Sequence, residues 1–247
     1  MHRIFSRYNS FMKTIGLIGG LSHESTIIYY QHINEMVRER LGELNAAQLV
    51  LDSINMQEVA KRQHANKWDE LDEMMVQSAL KLEKAGCDAV MIGTNSMHLC
   101  APAVVKKISI PLLHIADATG QAIKDAGINK VALLGTEFTM TKNFYKDHLK
   151  EKFAVDTLVP DDEDKKEISR IIYEELCKGE IKASSKDFYL ATISKLKEQG
   201  AQGVILGCTE IPLLVCQEDL DIPVFDTTYL HSKMAVDFIL ENQLIAR

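Results

Sequence analysis

The chain has 247 residues, enough for one or two compact units, and its 46% hydrophobic and 26% charged residues are an ordinary globular composition that argues against disorder. Its 28 basic and 35 acidic side chains leave a net charge of −7, which excludes a sequence-independent nucleic-acid binder. No apolar run reaches the roughly 18 residues of a membrane span, and thirteen Gly with five Pro are too few for a low-complexity or fibrous protein.

Residues 1–11 carry Arg3 and Arg7, no acid and no hydrophobic period. They read as an N-terminal extension with Met12 as the working start, lacking the long apolar core and small-residue cleavage site of a signal peptide. Lys13 to Ile18 is then a short β-type run ending in Gly19-Gly20. Ser25 to Leu41 places Ile28, Ile33, Val37 and Leu41 at helical spacing. Gln48 to Ile54 is a second β-compatible run, and Trp68 to Ala85 a helix with Gly86 at its C-terminal cap position. Ala89 to Ile92 and Ile110 to His114 supply the third and fourth strands.

The pattern then restarts. Lys130 to Leu134 is a strand, Lys142 to Lys152 a helix, and Val155 to Val159 a strand. Asp161-Asp162-Glu163-Asp164 starts a helix with acids, as the helix macrodipole favours. Glu167 to Cys177 and Phe188 to Gln199 are helical, Val204 to Leu206 and Ile222 to Phe225 are strands, and Leu230 to Leu240 is a last helix. Alternating β and α with continuous apolar strands predicts an α/β fold of parallel sheets covered by helices on both faces.

The restart is a duplication. Gly86, Val90 and Gly93 recur as Gly200, Val204 and Gly207 at an offset of 114. Thr14 to Gly19 matches Lys130 to Gly135 at 116, and Ile110-Pro111 matches Ile222-Pro223 at 112. Three blocks in order at nearly constant offset predict two similar lobes facing each other across a pseudo-twofold axis. The expected boundaries are 12–114 for the first lobe and 115–226 for the second, with 227–247 returning to the first.

In open parallel sheets, ligands bind at the carboxyl ends of strands. Two matched repeat blocks end there: Gly93 followed by Thr94-Asn95-Ser96-Met97-His98, and Gly207 followed by Cys208-Thr209-Glu210-Ile211-Pro212. The offset of 114 sets Thr94 opposite Cys208, two proton-carrying side chains on either side of an interlobe cleft. Inverting a carbon acid needs one group to take a proton from one face and another to deliver one to the opposite face. Cys208, read as standing at a helix N-terminus, has a reason for a lowered pKa. Backbone amides of Asn95, Ser96, Thr209 and Glu210 could hold a carboxylate and spread charge developing at its α-carbon.

From Met12 onward the chain resembles the cofactor-independent aspartate/glutamate racemase family. The matching blocks are Ile15-Gly16-Leu17-Ile18-Gly19-Gly20, Asn95-Ser96-Met97-His98, Leu134-Gly135-Thr136 and, most specific, Gly207-Cys208-Thr209-Glu210-Ile211. The resemblance implies two pseudo-symmetric flavodoxin-like lobes and chemistry without pyridoxal phosphate or metal. It implies substrate contacts from Leu21, Asn95, Ser96, Met97, Thr209 and Glu210. It also implies one from Gln63, read as lying in the loop after the second strand, where the family places an Arg or Gln.

Three departures qualify it. Family members usually carry Cys-Asn-Thr where this chain has Thr94-Asn95-Ser96, which resembles the atypical Thr/Cys, L-aspartate/glutamate-preferring branch. Leu21-Ser22-His23-Glu24 stands where aspartate racemases more often show Met-Gly-Pro-Glu. The family Lys that binds the distal carboxylate falls one residue from Lys178. The expected chemistry is therefore asymmetric, with Cys208 doing the demanding deprotonation and Thr94 serving the other face.

Other residues carry less. His98, one helical turn past Thr94, reads as a structural helix residue, and the eight His show no ligand spacing, so no metal is expected. Gly16-x-x-Gly19-Gly20 is not a dinucleotide fingerprint. The five cysteines, Cys87, Cys100, Cys177, Cys208 and Cys216, are odd in number without a C-x-x-C pair, which suits a reducing, cytoplasmic setting. The sequence-level expectation is a racemase of aspartate and/or glutamate, with no cofactor, a small amino acid as its only partner molecule, no membrane or nucleic-acid partner, and a homodimer by family habit. Two other readings stay open: a related decarboxylase or cis–trans isomerase of small carboxylic acids, and a catalytically weak carboxylate-binding protein.

Overall fold

The structure is a computed structural model that describes residues 12–241; the extension 1–11 and residues 242–247 lie outside the described residues. Its contacts divide the chain into two units, one of residues 12–93, 100–113 and 232–241, the other of residues 94–99 and 114–231.

In the first unit β1 (Thr14–Gly19) leads to α1 (His23–Leu41), β2 (Gln48–Ser53), α2 (Met56–His64), α3 (Trp68–Lys84), β3 (Ala89–Ile92), α4 (Ala101–Val105) and β4 (Leu112–Leu113). The strands form one parallel sheet in the order β2-β1-β3-β4. The turn out of β1 requires glycine: Gly20 has φ 71°, and a Cβ there would lie 2.3 Å from Ile54 O. The Ser22 side chain then caps α1 by accepting from Ser25 N–H at 3.1 Å. Tyr29, Ile33, Met36 and Val37 follow at helical spacing and bury one stripe of α1 against Ile15, Leu17 and Met91. Each fully buried aliphatic side chain of this kind contributes roughly 1.5–3 kcal/mol.

The second unit contains α5 (Ile115–Asp125), β5 (Lys130–Gly135), α6 (Glu137–Thr141), α7 (Asn143–Phe153), β6 (Asp156–Leu158), α8 (Asp162–Glu174), α9 (Ala183–Glu198), β7 (Val204–Gly207), β8 (Val224–Asp226) and the start of α10 (Thr227–Leu240). Its sheet is parallel in the order β6-β5-β7-β8. The pleat sorts its strand residues into two cores. Ala132, Leu134, Val204 and Leu206 pack with Ile168, Ile172, Tyr189 and Ile193 of α8 and α9. Their alternates Val131, Leu133 and Ile205 pack with Ile115, Tyr145 and Leu149 of α5 and α7. From Ser232 onward α10 belongs to the first unit, where Ala235, Val236 and Ile239 join the core.

The duplication extends to strand register. Gly16 pairs with Val90 in the first sheet; adding the sequence offsets gives Ala132 with Val204, which is the pair observed in the second. Val90 N–H donates to Pro111 O and Val204 N–H to Pro223 O, both at 2.9 Å.

Several boundaries differ from the sequence reading. Residues 56–64, taken as loop, form α2, capped by Asn55 and buried through Val59 and Gln63. The acidic helix start read at Asp161–Asp164 is observed, with α8 beginning at Asp162 and the Asp161 carboxylate capping the N–H groups of Glu163 and Asp164, so the helical stretch read from Glu167 is its continuation. Helix α8 stops at Glu174, and Leu176–Lys178 is a separate 3₁₀ turn. Helix α5 gave no sequence signal because its buried face is built largely from Ala116, Ala118, Thr119 and Gly120.

Candidate functional site

Strands β3 and β7 are wholly buried and deliver their following loops at their carboxyl ends. Gly207 permits the close approach of β5, since a Cβ there would lie 2.9 Å from Leu134 O. Thr94 is half-buried, and residues 94–99 belong by their contacts to the second unit, which also holds Cys208, Thr209, Glu210 and Lys178. Leu21 and Gln63, each 5% exposed, belong to the first unit, with Gln63 on a helix rather than in the expected loop.

Asn95 is 3% exposed, and its Nδ2 donates to Thr227 Oγ1 at 2.9 Å. Thr227 Oγ1 in turn donates to Leu206 O at 2.9 Å. A hydroxyl has one hydrogen, so Thr227 must accept from Asn95, which fixes the amide orientation and leaves Asn95 Oδ1 buried with no partner. Thr227 carried no motif; its place at the carboxyl end of β8 was the available signal.

His98 is 1% exposed, with both ring nitrogens engaged. Nε2 accepts from Ile115 N–H at 3.1 Å, so Nδ1 carries the hydrogen and donates to Thr94 O at 2.8 Å. Burial, reinforced by the neighbouring His114 and His231 rings at 4.5 and 5.7 Å, holds His98 well below the ordinary histidine pKa. It is a neutral strut under Thr94. Met97, 1% exposed, is core, and Ser96 is half-buried.

Around Cys208 the structure overturns an expectation. The helix read into the residues after Cys208 is only the 3₁₀ turn Ile211–Leu213, too short to supply a macrodipole. Cys208 Sγ lies 3.0 Å from Glu210 Oε2, and that oxygen also accepts from Thr209 Oγ1 at 2.6 Å. Burial first, and the Glu210 carboxylate second, push the Cys208 thiol well above its ordinary value, outweighing a hydrogen bond from Glu210 N–H. The thiol is therefore protonated at rest rather than activated.

Lys178 is exposed at the end of its 3₁₀ turn. The turn is anchored by the buried Glu175, which accepts from Ser185 Oγ at 2.6 Å and pairs with Arg170 at 2.9 Å. Its neighbour Cys177 packs on the same core as Cys208 and adds to the upward push on that thiol. No described contact joins Lys178 to the other candidate residues.

His114, Asp117 and His148 place one ligand-type atom each within 4.8 Å of one another, a proximity that sequence spacing concealed. The His114 and His148 rings stack at 4.2 Å and 4°, so their lone pairs run parallel instead of converging. Lys152 Nζ sits 2.7 Å from both Asp117 oxygens and already supplies the carboxylate with a cation. The cluster is an ion-pair network. All five cysteines are free, and among the described residues no helix is long and apolar enough to cross a membrane.

A family model described as Asp/Glu/Hydantoin racemase matches residues 18–235. A solved structure of an Asp/Glu racemase candidate from Yersinia pestis is 45% identical, with a TM-score of 0.88 over 93% of this chain and 100% of that one. An aspartate racemase homologue from Pyrococcus horikoshii OT3 is 38% identical, with a TM-score of 0.82 over 92% and 99%. A broad specificity amino-acid racemase of Bacillus subtilis is 22% identical over 93% of this chain and 99% of its own length.

Proposed function

Because the chain belongs to the Asp/Glu/hydantoin racemase family and is thus an isomerase of the amino-acid racemase type, we propose that it interconverts L- and D-aspartate and/or glutamate by proton transfer at the α-carbon. In this reading Cys208 serves one face and Thr94 the other. The observation that carries it is Asn95 Oδ1, a buried acceptor with no partner beside Thr94 and tied through Thr227 to β7, the strand that leads into Cys208. A buried acceptor left unsatisfied costs about 1–3 kcal/mol. A substrate α-ammonium group supplies the missing donor and fixes the α-carbon relative to the two proton carriers.

The chemistry then follows from the side chains. Cys208 as thiolate removes the α-proton, and backbone amides of the Thr94 and Cys208 loops disperse charge that builds on the substrate carboxylate. Thr94, held through its carbonyl by His98, relays a proton to the opposite face; a hydroxyl is a poor base, so removal of a proton from that face is the harder direction. Lys178, in the same unit as Thr94 and Cys208, is the proposed contact for the distal carboxylate.

The test follows the α-proton of L-aspartate and L-glutamate by NMR in D₂O with purified protein. We expect the signal to disappear for at least one of them and to persist with Cys208→Ser. Persistence of both signals with the unaltered protein over a long incubation would rule the reading out. The five free cysteines support a cytoplasmic setting. The proposed homodimer rests on family resemblance alone, and sedimentation as a monomer at micromolar concentration would refute it.

A further inference from the structure

A cavity of about 210 Å³ lies between the start of α8 and the end of α9, lined by Val159, Asp161, Asp164, Thr192, Lys195 and Leu196 among others. All of these residues belong to the second unit. Helices α8 and α9 run antiparallel, with Asp164 facing Lys195 at one end and Glu175 facing Ser185 at the other. The cavity is thus a helix length, about 20 Å, from the turn Leu176–Lys178, and it shares no lining residue with the proposed racemase site. Pockets for drug-sized ligands measure roughly 300–1,000 Å³, so an occupant here is small.

Thr192 is the observation that points to a ligand. It is 1% exposed, and its Oγ1 has no hydrogen-bond partner. A threonine inside a helix ordinarily donates to a carbonyl three or four residues back. The buried Thr26 and Thr119 do so, to Ser22 O at 2.8 Å and Ile115 O at 3.0 Å. Thr192 forgoes that bond, and a buried hydroxyl without a partner opposes folding.

Two carboxylates supply further acceptors. Asp164, 8% exposed, meets Lys195 Nζ through Oδ2 at 2.9 Å, and its Oδ1 has no partner among the described residues. Asp161 spends Oδ1 on the N–H groups of Glu163 and Asp164, and its Oδ2 likewise has no partner among the described residues. Three spare acceptors therefore line one small cavity, and a primary ammonium group carries three N–H donors. We propose that this cavity is a second small-molecule site, which takes the primary ammonium group of a small amine or amino acid.

Charge selects the same group. Two carboxylates face one ammonium, an excess of one negative charge in the lining. The hydrogen bond to Asp164, with the charges of Asp164, Asp161 and Glu163, raises Lys195 above its ordinary value, so the field here favours cations. The donors that a helix start offers to anions are taken, since Asp161 Oδ1 holds the N–H groups of Glu163 and Asp164, and Asp161 O accepts from Lys165 N–H at 2.9 Å. Among the described residues, no third His, Cys, Asp or Glu joins the two carboxylates closely enough to hold a metal ion.

The test is an NMR titration of protein labelled with ¹³C in its Val and Leu methyl groups, read at Val159 and Leu196. Ethylamine hydrochloride is the probe, with sodium chloride and sodium propionate at equal ionic strength as controls. We expect saturable shifts with ethylamine alone, at the roughly millimolar Kd that a ligand of so few atoms supports. β-Alanine separates the two sources of the ammonium group. Tighter binding than ethylamine, with the advantage lost in Lys195→Met, identifies an amino acid; weaker binding identifies a simple amine, and both support the site. Thr192→Val keeps the side-chain shape and removes the hydroxyl. It should weaken ethylamine binding about tenfold or more, yet raise the unfolding temperature of the unliganded protein, because an unsatisfied buried group is gone. Asp161→Asn keeps a helix-capping side chain and should weaken binding by a similar factor. Absence of saturable shifts well beyond millimolar ethylamine overturns the inference, as do equal shifts with sodium chloride or saturation by propionate. Unchanged affinity in both variants overturns it too. The readout lies at the cavity itself, so it stands apart from the outcome of the racemase test.

Discussion

Asn95 Nδ2 donates to Thr227 Oγ1 at 2.9 Å across 132 positions of sequence, and this one bond fixes which way the Asn95 amide faces. If Oδ1 meets the substrate ammonium, Asn95→Ala should raise KM by about tenfold to a hundredfold, the worth of a hydrogen bond to a charged group, and change kcat less. Thr227→Val should act in the same direction, since it frees the amide to turn, and should also cost stability by leaving Nδ2 and Leu206 O unpaired. Steady-state kinetics with chemical denaturation separates the two effects.

Thr94→Val keeps the shape of the side chain and removes its hydroxyl. Because His98 holds Thr94 through the backbone carbonyl, the loop should keep its place. Exchange of the L-substrate α-proton should continue while inversion falls about a hundredfold. Chiral chromatography beside the D₂O experiment gives both rates, and an equal loss of both would contradict the division of labour.

Acid should destabilise the fold starting near neutrality. The folded pKa of His98 lies well below its ordinary 6.5, and that of His114, lowered first by burial and then by His148, is about 3. Below pH 6.5 the unfolded chain therefore binds protons that the native state refuses, so stability present above that pH is lost as pH falls. Burial raises Asp117, but hydrogen bonds from His148 and Lys152 outweigh this and lower it from 3.8 to about 2, which adds a further loss between those values. Each refused proton contributes a slope of about 1.4 kcal/mol per pH unit. Urea unfolding from pH 7 to 4 measures the slope, and His98→Asn should remove about one proton from it.

Gly120→Ala should be costly although Gly120 lies within α5. An added Cβ would sit 2.3–2.6 Å from Phe153 ring atoms, so the ring or the helix must move. Overpacking of this kind costs about 1–3 kcal/mol. Adding Phe153→Leu should recover part of it, and thermal unfolding of the single and double variants checks the coupling.

The sequence by itself determined the architecture, because strand burial and duplication are written in local composition. Ile15, Val90, Val131 and Val204 sit in continuous apolar runs, and the offsets of 114 and 116 carried over even into register. It also placed Thr94 and Cys208 at strand ends, since a glycine followed by polar residues after a buried strand is a local signal. Short helices such as α2 and α5 escaped it, their buried faces being small or polar. What only the tertiary structure decided is how those ends are wired. The state of the Cys208 thiol depends on burial and on where the Glu210 carboxylate points, and the Asn95 amide depends on a threonine from the far end of the chain. The stacked histidines and Lys152 around Asp117 likewise come together only when α5 packs on α7. Electrostatics acts through space, and spacing along the chain does not report distance through space.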